Sequence, residues 1–317
     1  MTAGPELPPY RPPSEAGSVL VRVTRGCAWN RCTFCGMYKE QRFSVRKLDE
    51  IRADLALLRA ETPHARSVFL ADSDALVHPR LPDVVAAVRA TFPEAERITS
   101  YARLHTLVHR PFARLEAARA AGLTRIHAGL ESGAPAVLAA VHKGATPELA
   151  REAGRRAIEA GFTLSLYLLS GLGGETDWEA HARDSGRLLG EIAPHFIRLR
   201  TLVLLAGTPL HAAWKEGRFS PATPETRLRE TELLLRTLLA TVPQREIELT
   251  SDHFSNYVYA DGELVYGGIN GYLPEEGETL LATLSAARAA VASARQVYDP
   301  ASLARRGHLT GLYAPRL

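Results

Sequence analysis

The sequence predicts an α/β fold in which βα units repeat around a parallel sheet and an α+β extension follows. Three observations carry this expectation. Short apolar runs recur over the first two thirds of the chain, each followed by a longer segment with helical periodicity. Helix starts and stops are marked, as at Thr146-Pro147-Glu148-Leu149, where a threonine cap precedes proline at the first helical position and Gly161 sits just past the end. After Pro209 the alternation gives way to a different pattern.

In order, the expected strands are Ser18 to Thr24, Ser67 to Ala71, Arg97 to Tyr101, Thr124 to Gly129, Thr163 to Ser170 and Phe196 to Leu204. Helical stretches near residues 46–61, 80–92, 111–121, 134–141, 147–160 and 177–191 alternate with them. Six parallel strands with outer helices allow either a curved partial barrel or a doubly wound sheet, and periodicity leaves both open. Both place ligands at the carboxyl ends of the strands. From about residue 210 the pattern is a helix over Arg227 to Ala240, an extended stretch near Ile247 to Leu249, a Gly- and Tyr-rich segment through Tyr272 and an Ala-rich helix near 278–294. The expected organisation is a leader over 1–17, a core domain over 18–210 and an extension over 211–317 that covers the core.

Composition is that of a globular chain, with 317 residues, 46% hydrophobic and 23% charged. The 38 basic and 35 acidic residues are spread evenly, so no basic stripe points to nucleic acid. The proline-rich start lacks the cationic and apolar regions of a signal peptide, and no run of about eighteen apolar residues suggests a membrane span. A cytoplasmic protein is expected. All 3 cysteines fall within nine positions, which argues for ligation and against a disulfide framework.

Those cysteines lie in Thr24-Arg-Gly-Cys27-Ala-Trp-Asn-Arg-Cys32-Thr-Phe-Cys35, on the loop that follows the first strand. The spacing C-x4-C-x2-C opens plant-type ferredoxin sites, which need a fourth cysteine that this chain lacks. A [4Fe–4S] cluster held by three thiolates keeps one iron open, as a catalytic site requires. The alternative is a structural zinc site with a histidine as fourth ligand. Of the 11 histidines the nearest in sequence, His64, lies well outside the loop.

The cysteine loop resembles that of the radical S-adenosylmethionine superfamily, whose usual spacing is C-x3-C-x2-C with an aromatic residue before the last cysteine. Phe34 matches the aromatic, and the first gap is one residue longer, a variation that some members share. The resemblance extends over roughly residues 15–210 and implies a partial (β/α)6 TIM-like barrel with a C-terminal α+β extension. It implies a [4Fe–4S] cluster on Cys27, Cys32 and Cys35, and S-adenosylmethionine held at the strand ends, with Phe34 and Gly36 beside it. Asp72 and Ser73, in Phe69-Leu-Ala-Asp72-Ser73-Asp74, occupy the place of the motif that bonds the cofactor amine, without its usual two glycines. Gly129-Leu-Glu131-Ser132-Gly133 resembles the fourth-strand region of the oxygen-independent coproporphyrinogen oxidase, methylthiotransferase and elongator-type branch, which implies that Glu131 meets the ribose hydroxyls with Ser132 alongside. Arg103 corresponds to an arginine near the methionine carboxylate. Gly171, in Leu169-Ser-Gly171-Leu-Gly173-Gly174, is similar to the glycine-rich turn near adenosine, and Leu204 belongs to the sixth-strand segment that packs on adenine. Each of these has a plainer reading as turn former, helix cap or surface charge.

The resemblance implies that a reduced cluster cleaves S-adenosylmethionine to a 5′-deoxyadenosyl radical that takes hydrogen from a small-molecule substrate, with electrons from a donor such as flavodoxin or ferredoxin. With only three cysteines, an auxiliary Cys-bound cluster, a methyl-carrying cysteine and a thiyl donor are not expected. With only a short leader before the first strand, a cobalamin domain, of about a hundred residues, is likewise not expected. In the extension, Leu249-Thr-Ser-Asp-His253-Phe-Ser-Asn-Tyr257 is the densest polar and aromatic run, and His253 and Tyr257 are candidates to exchange a proton or hydrogen atom with substrate. Two rivals stand beside this reading: a non-catalytic iron–sulfur electron carrier or sensor, and a zinc-stapled binding protein.

Overall fold

The computed structural model describes residues 9–242 and 245–308. β1 (Val19–Arg22) opens the main sheet, and a break at Val23 separates it from β2 (Thr24–Arg25), so the single strand expected over Ser18–Thr24 is two. β2 pairs antiparallel with β3 (Ser44–Val45), Thr24 opposite Val45 and Arg25 opposite Ser44. This short ladder gathers the two ends of the cysteine loop. Then follow α1 (Leu48–Glu61), β4 (Ser67–Ala71), α2 (Leu81–Thr91), β5 (Arg97–Tyr101), α3 (Leu104–His109), α4 (Phe112–Ala120), β6 (Leu123–Glu131), α5 (Pro135–Ala140), α6 (Pro147–Glu159), β7 (Thr163–Ser170), α7 (Trp178–Ile192) and β8 (Phe196–Thr201). The caps of α6 are those the sequence marks: Thr146 Oγ1 accepts from Leu149 N–H at 3.2 Å, and Gly161 follows at φ +83°. β8 ends at Thr201 and not at Leu204, because the chain leaves the sheet there to reach the cysteine loop, where Leu210 N–H donates to Thr33 O at 3.0 Å.

The winding does not stop near residue 210. After α8 (Pro209–Lys215), α9 (Pro224–Thr241) crosses back to β9 (Ile247–Thr250), which joins β8 in parallel, with Phe196 opposite Glu248. The stretch expected as part of an appended segment is thus a seventh parallel strand. β10 (Val258–Ala260), β11 (Glu263–Tyr266) and β13 (Val297–Tyr298) form a small separate sheet, while β12 (Asn270–Leu273) pairs antiparallel with β9 and covers its edge. α10 (Gly277–Ser293) and α11 (Pro300–Arg305) complete the described chain.

The main sheet runs β1-β4-β5-β6-β7-β8-β9-β12. Strands therefore sit side by side in chain order, whereas a doubly wound sheet reverses direction at a switch point. With right-handed crossovers, one-directional order puts every helix on the same face, and the sheet curls into a partial barrel. No helix among the described residues is long and apolar enough to cross a membrane.

The two faces of that sheet differ in kind. Outward-facing Ile126, Ala128, Leu130, Leu164, Leu166 and Leu168 are fully buried under the helices. Inward, β6 and β7 carry Arg125, His127, Gly129 and Tyr167, and β8 adds Arg198 and Arg200. Period-two alternation thus builds an aliphatic outer wall and a polar inner one.

Candidate functional site

The cysteine loop is fastened at its neck and at its tip. At the neck, Asp72 at the end of β4 accepts from Gly26 N–H at 3.0 Å and from Arg22 Nε at 3.4 Å, while Ser73 Oγ donates to Gly26 O at 2.8 Å. Gly26 stands at φ +70°, and a Cβ there would lie 3.0 Å from Gln41 O. At the tip, Thr33 N–H donates to Val141 O at 3.0 Å. Phe34 packs with Leu204 on a small apolar cluster that includes Val141, Leu172, Leu202 and Leu210. Gly36 is exposed and faces Leu205, whose Cδ1 would be 3.3 Å from an added Cβ. The residue after β8 that the sequence reading singled out, Leu204, thus braces the loop.

The longer first gap has a local solution. Asn30 adopts φ +49°, a conformation asparagine tolerates, and its Nδ2 donates to Tyr38 O at 2.7 Å. Trp29 Nε1 donates to His142 O at 2.8 Å, and the Arg103 guanidinium lies 5.1 Å from the Trp29 ring. Arg103 is therefore brought against the cysteine loop by a cation–π contact.

The three thiols are half-buried. Asn30 N–H approaches Cys27 Sγ at 3.5 Å. Burial pushes the Cys32 and Cys35 thiols up, and Lys143 beside them works the other way, as does the Met37 N–H at Cys35. Lys143 Nζ donates to Glu131 Oε1 at 2.8 Å. Burial disfavours the Lys143 charge, but Glu131 and Cys32 outweigh it and hold its pKa up. Glu131 itself stands at φ +68°, and its carboxylate folds back over Gly129 so closely that a Cβ on Gly129 would lie 2.0 Å from Oε1. That close approach explains the glycine in Gly129-Leu-Glu131.

The donor set suits a cluster better than a single ion. Among the described residues no three His, Cys, Asp or Glu side chains converge as one tetrahedral ion requires. The three thiolates of a four-iron cluster each take a different iron and need not converge. A cationic Lys143 beside Cys32 and Cys35 offsets the negative charge such a cluster carries. Tyr38 adds a second observation: its hydroxyl is buried with no hydrogen-bond partner among the described residues, and the charges it feels are those of Asp72, Cys27 and Cys35. An orphaned donor at that place fits a polar group bound against the cysteines.

Behind the loop the inner wall is layered. Phe69, Tyr101, His127 and Tyr167 form a ring-to-ring girdle, with Phe69–Tyr101 at 5.0 Å and Tyr101–His127 and His127–Tyr167 near 6 Å, at 6.2 Å and 6.1 Å. Below it, at the amino ends of the strands, Glu15 from the leader is fully buried. His127 Nε2 donates to its Oε1 at 3.2 Å, Ser18 donates to Oε2, and Arg97 stands 3.5 Å away. Burial would raise the Glu15 pKa, but these hydrogen bonds and charges win and hold it at about 2. Above the girdle, Arg200 faces Tyr167, and His253 lies close to Arg200 at the mouth.

Ser132 and Gly171 have polar partners within the protein. Ser132 is buried away from the barrel interior, with Oγ 2.8 Å from His181 Nδ1. His181 Nε2 lies 3.7 Å from Glu230 Oε1, and Glu230 accepts from Gly171 N–H at 2.9 Å. Ser132 and the Gly171 amide are thus engaged in a sealed chain that reaches α9, because the strand ends must anchor the helices packed behind them. Gly133 shows the same demand: a Cβ there would lie 2.4 Å from Asp184 O on α7. His253 caps the short turn Phe254–Asn256, with Nδ1 2.8 Å from Ser255 Oγ, and Tyr257 follows it half-buried. Burial and then Arg200 lower the His253 pKa to about 4.

Sequence reasoning gave no role to Lys143, although Lys143-Gly144 belongs to the same stretch that resembles the family's fourth-strand region, and it passed over Tyr38, Arg200 and Glu15. Of these three only Arg200 had a signal, the alternation Phe196-Ile-Arg-Leu-Arg200, which puts arginines on one face of a strand.

The family model for the radical SAM superfamily matches residues 21–184, just over half of the chain. Among solved structures, the radical S-adenosylmethionine methyltransferase TsrM from Kitasatospora setae, with cobalamin and a [4Fe–4S] cluster bound, superposes with a TM-score of 0.51 at 20% identity, covering 63% of this chain and 37% of that one. Methylornithine synthase, PylB, superposes with a TM-score of 0.51 at 19% identity, covering 71% of this chain and 63% of that one. The chain thus spans less than two thirds of either, and at these identities the likeness is one of fold, the partial barrel. No curated protein matches the chain. The matched segment contains the cysteine loop and the strand ends around it, and the chain belongs to the radical SAM superfamily, enzymes that bind a [4Fe–4S] cluster and S-adenosylmethionine.

Proposed function

We propose that Cys27, Cys32 and Cys35 hold the cluster and that the enzyme acts on a small molecule bound inside the barrel. Cys27, Cys32 and Cys35 would ligate three of the cluster's irons, and the reduced cluster would supply the one electron for reductive cleavage of S-adenosylmethionine and so for hydrogen abstraction from substrate. The observation that carries this reading is the double fastening of the cysteine loop, at Gly26 by Asp72 and Ser73 and at Thr33 by Val141 and Leu210, which holds three thiols over the open end of a polar barrel.

The protein's own groups then have separable tasks. Asp72 and Ser73 position the loop through Gly26. Glu131 keeps one oxygen on Lys143 and offers the other to ribose hydroxyls, and the Lys143 charge steadies the thiolates. The loop tip, closed by Phe34 and Leu204 over an apolar cluster, excludes water from the cofactor. Arg103 lies outside this set, on Trp29, and its role is to stiffen the loop. An electron donor such as flavodoxin or ferredoxin supplies the reducing equivalent. Two of the structural neighbours are a radical S-adenosylmethionine methyltransferase and methylornithine synthase, and hydrogen abstraction or methylation is the reaction we propose here.

The test is anaerobic reconstitution with iron and sulfide, reduction with dithionite, and measurement of 5′-deoxyadenosine after adding S-adenosylmethionine. Product should form with the native protein and fall by about a hundredfold or more in Cys32→Ala, the loss expected when a required metal ligand is removed. A reduced, fully loaded cluster that neither changes its electron paramagnetic resonance spectrum with S-adenosylmethionine nor cleaves it would favour the electron-carrier reading.

A further inference from the structure

We propose that Arg200, at the mouth of the barrel, is the anchor for a carboxylate-bearing substrate. The proposal deepens the reading above and rests on it for the reaction, though not for the binding.

Five arginines project from the inner wall, and three are paired with carboxylates of the protein. Arg22 pairs with Asp72 at 3.4 Å. Arg97 pairs with Glu15 at 3.5 Å, and Arg198 with Glu248 at 3.1 Å while it also donates to Thr250 Oγ1 at 2.6 Å. Arg125, near the amino end of β6, has no ion pair among the described residues and stacks on the Phe196 ring at 4.2 Å, with two carboxylates, Glu15 and Glu248, acting on it. Arg200 is the one without an ion pair that stands at the carboxyl ends of the strands, where ligands bind. Its Nη1 donates to Leu199 O at 2.7 Å and its guanidinium stands 5.7 Å from the Tyr167 ring centre, but no carboxylate of the described residues lies within ion-pair distance of it. The negative side chain that acts on it is Asp252, which is exposed at the rim.

A half-buried guanidinium without a counterion is an expensive arrangement, since it gives up hydration and gains no ion pair. The planar fork still presents most of its N–H donors, in the geometry that takes a carboxylate through two parallel bonds. Its surroundings suit the rest of such a molecule. Tyr101 and Tyr167 supply flat walls, and His253 is neutral at neutral pH, so it neither repels an anion nor competes with one. The methionine carboxylate of S-adenosylmethionine is the other source of the same chemistry. Lys143 is held on Glu131 at the end of β6 at 2.8 Å, whereas Arg200 lies two strands away on β8, 5.7 Å from the Tyr167 ring and next to β9 and the extension. That division assigns the cofactor to one side of the mouth and the substrate anion to the other.

The test uses the reconstituted, cluster-loaded protein with S-adenosylmethionine present. Benzoate, succinate and inorganic phosphate are titrated by calorimetry into the native protein, Arg200→Gln and Arg200→Lys, with benzamide as the neutral counterpart of benzoate. The native protein should bind benzoate or succinate. Arg200→Gln should weaken that binding by about 10- to 100-fold, as expected for loss of a charge-assisted pair. Arg200→Lys, which keeps the charge without the fork, should fall between them. The affinity for S-adenosylmethionine should stay within about twofold in both variants, a difference well under one kcal/mol. Equal binding by benzamide, undiminished carboxylate binding in both variants, or no carboxylate binding at tens of millimolar would overturn the assignment, and phosphate binding alone would replace the carboxylate with a phosphate ester. A tenfold loss of S-adenosylmethionine affinity in Arg200→Gln would give the residue to the cofactor instead. None of these readouts requires turnover, so an inactive cluster would count against the proposed reaction and leave the anion site to be judged separately.

Discussion

The floor and the mouth of the barrel carry the same kind of side chain and treat it in opposite ways. At the floor, Arg97 and Arg198 meet Glu15 and Glu248, carboxylates that the chain itself supplies, one of them from the leader. At the mouth, Arg200 meets aromatic rings and a neutral histidine. At the floor even Arg125, which has no ion pair among the described residues, stacks on Phe196 with two carboxylates, Glu15 and Glu248, acting on it. The contrast separates a structural use of arginine from a use that leaves its counterion to a ligand, within one wall of one protein.

The contrast breaks most visibly at Glu15. Replacing it with alanine leaves Arg97 and His127 facing each other without a carboxylate, and the expected cost is about 3–5 kcal/mol of stability, measured by the midpoint of denaturant unfolding. An unchanged midpoint would mean that the floor is as unpaired as the mouth. Acid sensitivity is a gentler probe of the same contact. The folded-state pKa of Glu15 is about 2, below its ordinary value, so its contribution is present in full above about pH 4.5 and is lost as the pH falls from there towards 2. That contribution is on the order of 3 kcal/mol. The acid limb of a stability profile should flatten in Glu15→Gln. The smallest effect sharpens the mouth. His253 has a pKa of about 4, set by burial first and by Arg200 second. In Arg200→Gln its titration, followed by NMR, should move up towards the ordinary value. An unmoved titration would show that Arg200 does not face it.

Much of the barrel was legible from the sequence because buried parallel strands and amphipathic helices write strong patterns. The caps of α6 were read residue by residue, and the cysteine spacing with Phe34 led to the family. What was not legible depends on contacts distant in sequence. β9 is four residues, Ile-Glu-Leu-Thr, too short and too mixed to mark a seventh parallel strand. α3 is a single helical segment of six residues between two longer signals. Glu15 sits in a proline-rich leader that gave no sign of entering the core. Ser132 and Gly171 lie at the right strand ends, yet their polar groups serve the helices behind, which no local pattern reveals. Asp72 and Ser73, expected at the cofactor amine, both bond the backbone of Gly26 in the cysteine loop, and Asp72 also accepts from Arg22.

The seam between α7 and α9 carries a consequence for how the molecule folds. Gly186 and Gly190 leave no room for a methyl group, since an added Cβ would lie 2.6 Å from Leu234 O and 2.1 Å from Thr241 Oγ1. From across that seam Glu230 reaches the amide of Gly171, and Glu175 on the near side caps α9 through Thr226 Oγ1 at 2.9 Å. Residues on either side of position 210 therefore complete each other's polar groups and share one continuous core. The turn at Gly171 and the first turn of α9 each take a carboxylate from the other side of position 210, so Glu230→Ala should loosen both in one unfolding transition rather than release the last third alone.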